Sequence, residues 1–275
     1  MGALQDDTAV REIDGVLTAS LSRDWEIWGP NGGYLASIAL RAAGRVAPSG
    51  HRPVSFSCQY LSSPAFEDVT LQVEPAKAGR SAYCLNVAMM QGGVRHLQAQ
   101  VWTTNRTDGP KVAEHTPPPI PVPAKLHPME HYLPKDAPRH RFWRNIEVKP
   151  ERFFGEGERN PEGSVTRQWF RYVGYENPAA DPYLDAARSL LMIDTLFWPA
   201  HWRGQPEAPS YIAPSLDLTA WFNETALAEG WLLIESRADA AGGGLIHGRA
   251  RVWDEAGRLI AGGGSQLLVV NRTAP

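Results

Sequence analysis

Residues 32–104 run through an apolar helix-like stripe, a long alternating strand and three further strand-like segments, and residues 181–270 repeat that order. Shorter echoes support the repeat. Val54-Ser55-Phe56-Ser57-Cys58-Gln59-Tyr60 parallels Leu216-Asp217-Leu218-Thr219-Ala220-Trp221-Phe222. The hairpin from Leu85 to Gln98, turning at Gly92-Gly93, matches that from Arg249 to Gly262, turning at Ala256-Gly257. A period of roughly 100 residues is too long for a solenoid unit and suits a small domain. Two such copies in one chain face each other across a pseudo-symmetric interface, where binding sites tend to lie.

The pattern within each copy predicts its elements. A lead-in strand covers Gly15 to Ser22, and after Trp28-Gly29-Pro30-Asn31-Gly32-Gly33 the residues Leu35, Ile38, Ala39, Ala42 and Val46 fall on one helical face. Asn31 or Gly32 suits the N-cap, and Pro48-Ser49-Gly50 stops the helix. Strands are expected at 52–62, 69–76, 81–91 and 94–104. In the second copy the lead-in strand is Val165 to Val173, and the helix opens on Asp181-Pro182, an N-cap followed by proline at its first position. Pro199 must end or kink that helix. Strands follow at 211–222, 231–240, 244–254 and 258–270. Nine prolines between Pro110 and Pro138 mark an extended segment laid over the surface. The expected division is an N-terminal unit 1–107, a proline-rich linker 108–150 and a C-terminal unit 151–275. One helix embraced by an antiparallel sheet, made twice, is the pattern of the double hotdog, an α+β fold.

Composition narrows the function classes. An apolar fraction of 43% and ten tryptophans indicate a packed core. A net charge of −3 gives no electrostatic reason to expect nucleic acid or an anionic membrane as a partner. Cys58 and Cys84 sit in strand-like apolar runs and read as small buried hydrophobes of a reducing compartment. The acidic start Met1-Gly2-Ala3-Leu4-Gln5-Asp6-Asp7 lacks the apolar core of a signal peptide, and no apolar run is long enough to span a bilayer. The expected location is the cytoplasm.

Asp194 is the most unusual polar residue, flanked by Leu190-Leu191-Met192-Ile193 and Leu196-Phe197-Trp198. A carboxylate there is paired, hydrogen-bonded or raised in pKa, so it is either an interior structural group or a general base. Ser215 and Gln266 also stand in strand-like apolar settings, and the three together suit a carboxylate–hydroxyl–amide set around one water. In the first copy Asn31-Gly32-Gly33-Tyr34 opens a helix whose bare N–H groups suit a carbonyl oxygen, though the glycines equally suit a tight loop. His127-Pro128-Met129-Glu130-His131 has the spacing of a zinc-peptidase motif, but the prolines around it exclude the required helix. No metal and no organic cofactor is expected. Gly263-Gly264-Ser265-Gln266-Leu267 lacks the last glycine of a nucleophile elbow.

These residues carry a resemblance. Ile193-Asp194 after an apolar helical run, the strand Ser215-Leu216-Asp217-Leu218-Thr219-Ala220-Trp221-Phe222, and a closing strand with Gln266 near its middle resemble the type II acyl-CoA thioesterases, double-hotdog hydrolases of fatty acyl-CoA. The resemblance covers nearly the whole chain outside the proline-rich segment. It implies catalytic roles for Asp194, Ser215 and Gln266, with Ser where the family commonly has Thr. The run Gly262-Gly263-Gly264 leaves the last strand's register open by one residue, between Gln266 and Ser265. It also implies an acyl-CoA substrate in lipid metabolism, bound near Gly32, Gly33 and Tyr34. Further association into a homo-oligomer is compatible with such sheets. Two alternatives stand beside it: a non-catalytic acyl-CoA or lipid-binding protein, and a double-hotdog enoyl-CoA hydratase. The hydratase motif D-x-N-P-x-H is not matched, since no Asn-Pro follows Asp194.

Overall fold

The computed structural model describes residues 1–110, 112, 114–134, 139–155, 157–177, 179–223 and 230–271. The first half holds the helices α1 (Leu4–Asp7) and α2 (Gly32–Val46). Its strands are β1 (Arg11–Ile13), β2 (Val16–Ser20), β3 (Arg52–Tyr60), β4 (Asp68–Ala78), β5 (Ala82–Gln91) and β6 (Val94–Thr104). The second half holds α3 (Pro182–Thr195) and α4 (Phe197–Gly204). Its strands are β7 (Ile146–Pro150), β8 (Val165–Tyr172), β9 (Tyr211–Ile212), β10 (Asp217–Phe222), β11 (Leu232–Gly242), β12 (Leu245–Asp254), β13 (Leu259–Leu268) and β14 (Val270–Asn271).

Twelve of these strands form one antiparallel sheet in the order β1-β2-β4-β5-β6-β3-β10-β13-β12-β11-β8-β7. Read outward from its centre, each half repeats the other, so the sequence repeat becomes a pseudo-twofold axis between β3 and β10. Across that seam Asp217 faces Gln59, Thr219 faces Ser57 and Trp221 faces Ser55. The sheet wraps α2 and α3 in the double-hotdog manner.

The repeat also accounts for two departures from expectation. The last residues of the expected linker, Ile146–Pro150, form β7 on the sheet edge, the counterpart of β1, with Val148 opposite Phe170. The alternation of Ile146, Val148 and Pro150 buries one face of this strand. The lead-in strand expected at Gly15 to Ser22 is β2, and an unexpected strand, β1, precedes it to form a hairpin turning at Asp14 and Gly15, whose φ values of 51° and 79° are the left-handed region of such turns. The break attributed to Pro199 also falls earlier, at Leu196, the C-cap of α3. Pro199 then lies in the first turn of α4, where its missing N–H costs nothing.

The proline-rich segment covers the outer face of the second half. Ile120 and Leu126 pack on Trp169, Leu233 and Trp253. The indole N–H groups of Trp169 and Trp253 donate to the carbonyls of Pro121 (2.9 Å) and His115 (3.2 Å). Inside the sheet the two helices run antiparallel and touch closely at both ends. A Cβ on Gly33 would lie 2.5 Å from the Leu191 carbonyl oxygen, and one on Gly44 would lie 2.7 Å from the Tyr183 ring. Arg188 and Asp185 form a buried ion pair at 3.0 Å on α3. Cys58 and Cys84 are buried free thiols. Among the described residues no helix is long and apolar enough to cross a membrane.

Candidate active site

The head of α2 meets the tail of α3, and Asp194 lies at that junction, one residue before α3 ends. Asn31 caps α2, its side-chain oxygen accepting from the Tyr34 N–H at 3.0 Å. Its amide nitrogen donates to Thr195 Oγ1 at 3.3 Å, tying the two helix ends together. Asn31→Ala therefore removes a cap and a tether at once, and chemical denaturation should show a loss of about 1–2 kcal/mol.

Gly32 and Gly33 have ordinary helical geometry, so positive φ is not their reason. Close approach is. A Cβ on Gly32 would meet Asp194 Oδ2 at 2.8 Å and the Tyr60 ring at 3.1 Å. The Gly33 contact with Leu191 sets how closely α2 lies on α3. Together the two glycines let the positive end of α2 reach the carboxylate.

Asp194 is buried, and desolvation raises its pKa from 3.8 to about 6. The Ser215 hydroxyl, the Gly33 N–H and the Tyr60 hydroxyl oppose that shift by favouring the charged form. Among the described residues one of these contacts closes to a direct side-chain hydrogen bond, from Tyr60 Oη to Asp194 Oδ1 at 3.4 Å. Ser215 reaches the site from the segment just before β10, fixed by an isolated bridge to Leu267 and by the bond from the Tyr60 N–H to the Leu216 carbonyl at 2.9 Å.

The structure thus brings Asp194, Ser215, Gly32 and Gly33 together, and leaves two expected residues outside. Gln266 lies on β13 opposite the exposed His247, while its neighbours Ser265 and Leu267 are buried opposite Gly248 and Ile246. The inner face of β13 is fixed by Gly263, where a Cβ would meet Ile193 Cγ2 at 3.0 Å. Strand alternation therefore turns the Gln266 side chain away from α3 and turns Ser265 inward. Ser265 Oγ donates to the Asp217 carbonyl at 2.7 Å, and the Gln266 N–H donates to Asp217 Oδ1 at 2.8 Å. The glycine run hid this register because it carries no side-chain alternation.

Tyr34 is displaced for a different reason. Its ring is fully buried and stacks on Trp25 at 5.6 Å. Its hydroxyl donates to the Asp7 carbonyl at 2.8 Å and accepts from the Ser22 N–H at 3.0 Å. The side chain anchors the N-terminal segment and does not face Asp194.

Tyr60 is the residue that sequence reasoning missed. Its signal was present, since the aligned echo ends in Tyr60 in one copy and Phe222 in the other, a difference of one hydroxyl.

The comparisons with known proteins accord with this layout. The acyl-CoA thioesterase N-terminal domain family matches residues 21–104, and the acyl-CoA thioesterase C-terminal domain family matches residues 112–270. Among solved structures, an acyl-CoA thioesterase II from Mycobacterium marinum is 20% identical, with 98% of this chain and 99% of that one covered at a TM-score of 0.78. A hot dog fold protein of unknown function from Alicyclobacillus acidocaldarius is 19% identical, covering 99% and 98% at 0.79. The tesB protein of Mycobacterium avium subspecies paratuberculosis is 18% identical, covering 97% and 98% at 0.76. No curated protein matches the sequence. The structural likenesses show the shared fold, and the two domain matches reach from β3 and α2 through β13 and α3. By its two halves together, this chain belongs to the acyl-CoA thioesterase family, with the double-hotdog architecture of the type II enzymes.

Proposed function

We propose that this protein hydrolyses an acyl-CoA thioester to the free acid and CoA, with Asp194 as general base. The observation that carries this reading is a buried carboxylate, raised to about pKa 6, set against the glycine-opened head of α2. At neutral pH such a carboxylate is mostly ionised and basic enough to accept a proton from water. Ser215, with one donor and two acceptors, helps to orient that water. The water oxygen attacks the thioester carbonyl carbon as its proton passes to Asp194. The carbonyl electrons move to the oxygen, then return as the C–S bond breaks. The proton held by Asp194 leaves with the thiolate, giving CoA thiol and restoring the base. The Tyr34 N–H is occupied by Asn31 and the Gly33 N–H faces Asp194. The Gly32 N–H is therefore the donor left at the head of α2 for the developing oxyanion.

Thiol release from a saturated acyl-CoA, followed with a thiol reagent, tests the reading. A plot of kcat/KM against pH should fall on the acid side with an apparent pKa of about 6, because protonated Asp194 cannot take the proton. Binding of acyl-CoA without thiol release would favour the non-catalytic alternative. Hydration of a 2-enoyl-CoA in a parallel assay, with no thiol released, would favour the hydratase.

A further inference from the structure

We propose that Tyr60 is a positioning residue for Asp194, the third polar member of the site in the place that Gln266 was expected to fill. The inference rests on Asp194 being the base and concerns how that base is held. Tyr60 ends β3 on the face shared with Phe56 and Cys58, the face turned towards the helices. Its hydroxyl donates to Asp194 Oδ1, while the edge of its ring lies over Gly32, 3.1 Å from where a Cβ would stand. Any larger residue at position 32 would push the phenol off the carboxylate. The backbone on either side is fixed too, since the Tyr60 N–H is bonded to Leu216, the neighbour of Ser215. One short stretch of the seam between β3 and β10 therefore places both the phenol and the serine hydroxyl.

The consequence is a division of labour between the two carboxylate oxygens. Tyr60 holds Oδ1, which fixes the rotation of the carboxylate and leaves Oδ2 on the side of α2, where Gly32 makes room for it. The phenol proton is secure, because burial and the neighbouring carboxylate both disfavour phenolate. Tyr60 thus stays a donor throughout the working pH range and favours the ionised base. Gln266, on the outer side of β13, has no such access.

The titratable surroundings are few. On β3 the Cys58 thiol lies against the phenol and is held neutral by burial. Asp217 at the start of β10 acts on Cys58 from the other side of the seam. The first turn of α2 carries no acidic residue, and on α4 His201 is bonded to Tyr211 at 2.7 Å, with burial keeping it neutral. Of these groups, Tyr60 alone makes a direct side-chain hydrogen bond to Asp194 among the described residues.

Tyr60→Phe removes the hydroxyl and keeps the ring. Losing a hydrogen bond to a charged group should move the acid limb of kcat/KM up by about one pH unit. Activity at about pH 6 should then fall about fivefold, and the deficit should close by about pH 8. A carbon-13 titration of the Asp194 carboxyl, read by NMR, should move up by the same amount. Placing 3-fluorotyrosine at position 60, a stronger donor of nearly the same size, should shift both readouts the opposite way. A purely structural role would move none of these midpoints. The proposal is overturned if the limb and the carboxyl titration stay put in both Tyr60 variants, or if Gln266→Ala shifts them instead. Absence of thiol release by the wild-type protein would sink the hydrolase reading, and the carboxyl titration would still decide the role of Tyr60.

Discussion

Asp194→Asn is expected to lower kcat by a factor of about 10³ or more with any accepted thioester, while making the protein more stable at neutral pH. The loss follows because an amide cannot accept the proton from the attacking water. The gain follows from the direction of the pKa shift. The folded-state pKa of about 6 lies above the ordinary value of 3.8. Below about pH 4 the residue is protonated in both folded and unfolded chains and has no effect on stability. Between about pH 4 and pH 6 the unfolded chain ionises first, so stability declines as pH rises. Above that window the native protein bears the full cost of a buried charge, about 3 kcal/mol for a shift of this size. Asparagine removes the cost and misplaces one hydrogen bond, so a net gain of about 1–3 kcal/mol should appear in denaturation at about pH 8 and vanish near pH 4. Retained turnover would rule out Asp194 as the base. Lost turnover with no gain in stability would mean that the carboxylate is better solvated than its burial implies.

Gly33→Ala is expected to be strongly destabilising. The added carbon would stand 2.5 Å from the Leu191 carbonyl oxygen and 2.7 Å from its Cα. Both are backbone atoms inside a helix, so no rotamer change relieves the overlap. The two helices must separate, and their contact lies at the centre of the core. We expect a loss of about 4 kcal/mol or more, seen as a large drop in denaturation midpoint or as insoluble protein. Any protein that folds should hydrolyse poorly, since the N–H groups at the head of α2 move with the helix. Gly15→Ala is a useful contrast: no atom lies within 4 Å of the added methyl, although a φ of +79° strains the turn. Its effect should be smaller and confined to stability.

The parts of this molecule legible in its sequence are those written as period and punctuation. The α2 helix from Gly32, capped by Asn31, and the hairpin at Gly92-Gly93 follow from local rules. The duplication made the order of elements along the chain readable, since one half could be checked against the other. Asp194 was conspicuous because a carboxylate among leucines and aromatics has few ways to exist. Gln266 was misplaced because three glycines erased the alternation that fixes a strand's faces. Tyr34 was misjudged because its neighbours at the head of α2 face the site, while helical rotation turns its ring towards Trp25. Tyr60 was invisible as a partner of Asp194 because 134 residues separate them, and the packing of α3 against β3 brings them together.

The contact of Gly44 with Tyr183 carries a last consequence. Asp194 stands thirteen residues past the cap Asp181, and Gly44 stands thirteen past the cap Asn31, so the two are counterparts under the pseudo-twofold axis. Gly33 and Tyr183 are counterparts in the same way, each two residues past its cap. Where one end of the helix pair sets an acid against a bare glycine, the other sets a bare glycine against a phenol ring that fills the space. The exchange puts a bulkier ring where the other end has a carboxylate, so that contact is filled by packing and carries no carboxylate. An ancestor with two equal halves would have carried two stoichiometric sites. On the proposed mechanism this chain has the scaffold of such a dimer with one reactive end, and the other end is free to change wherever packing alone permits.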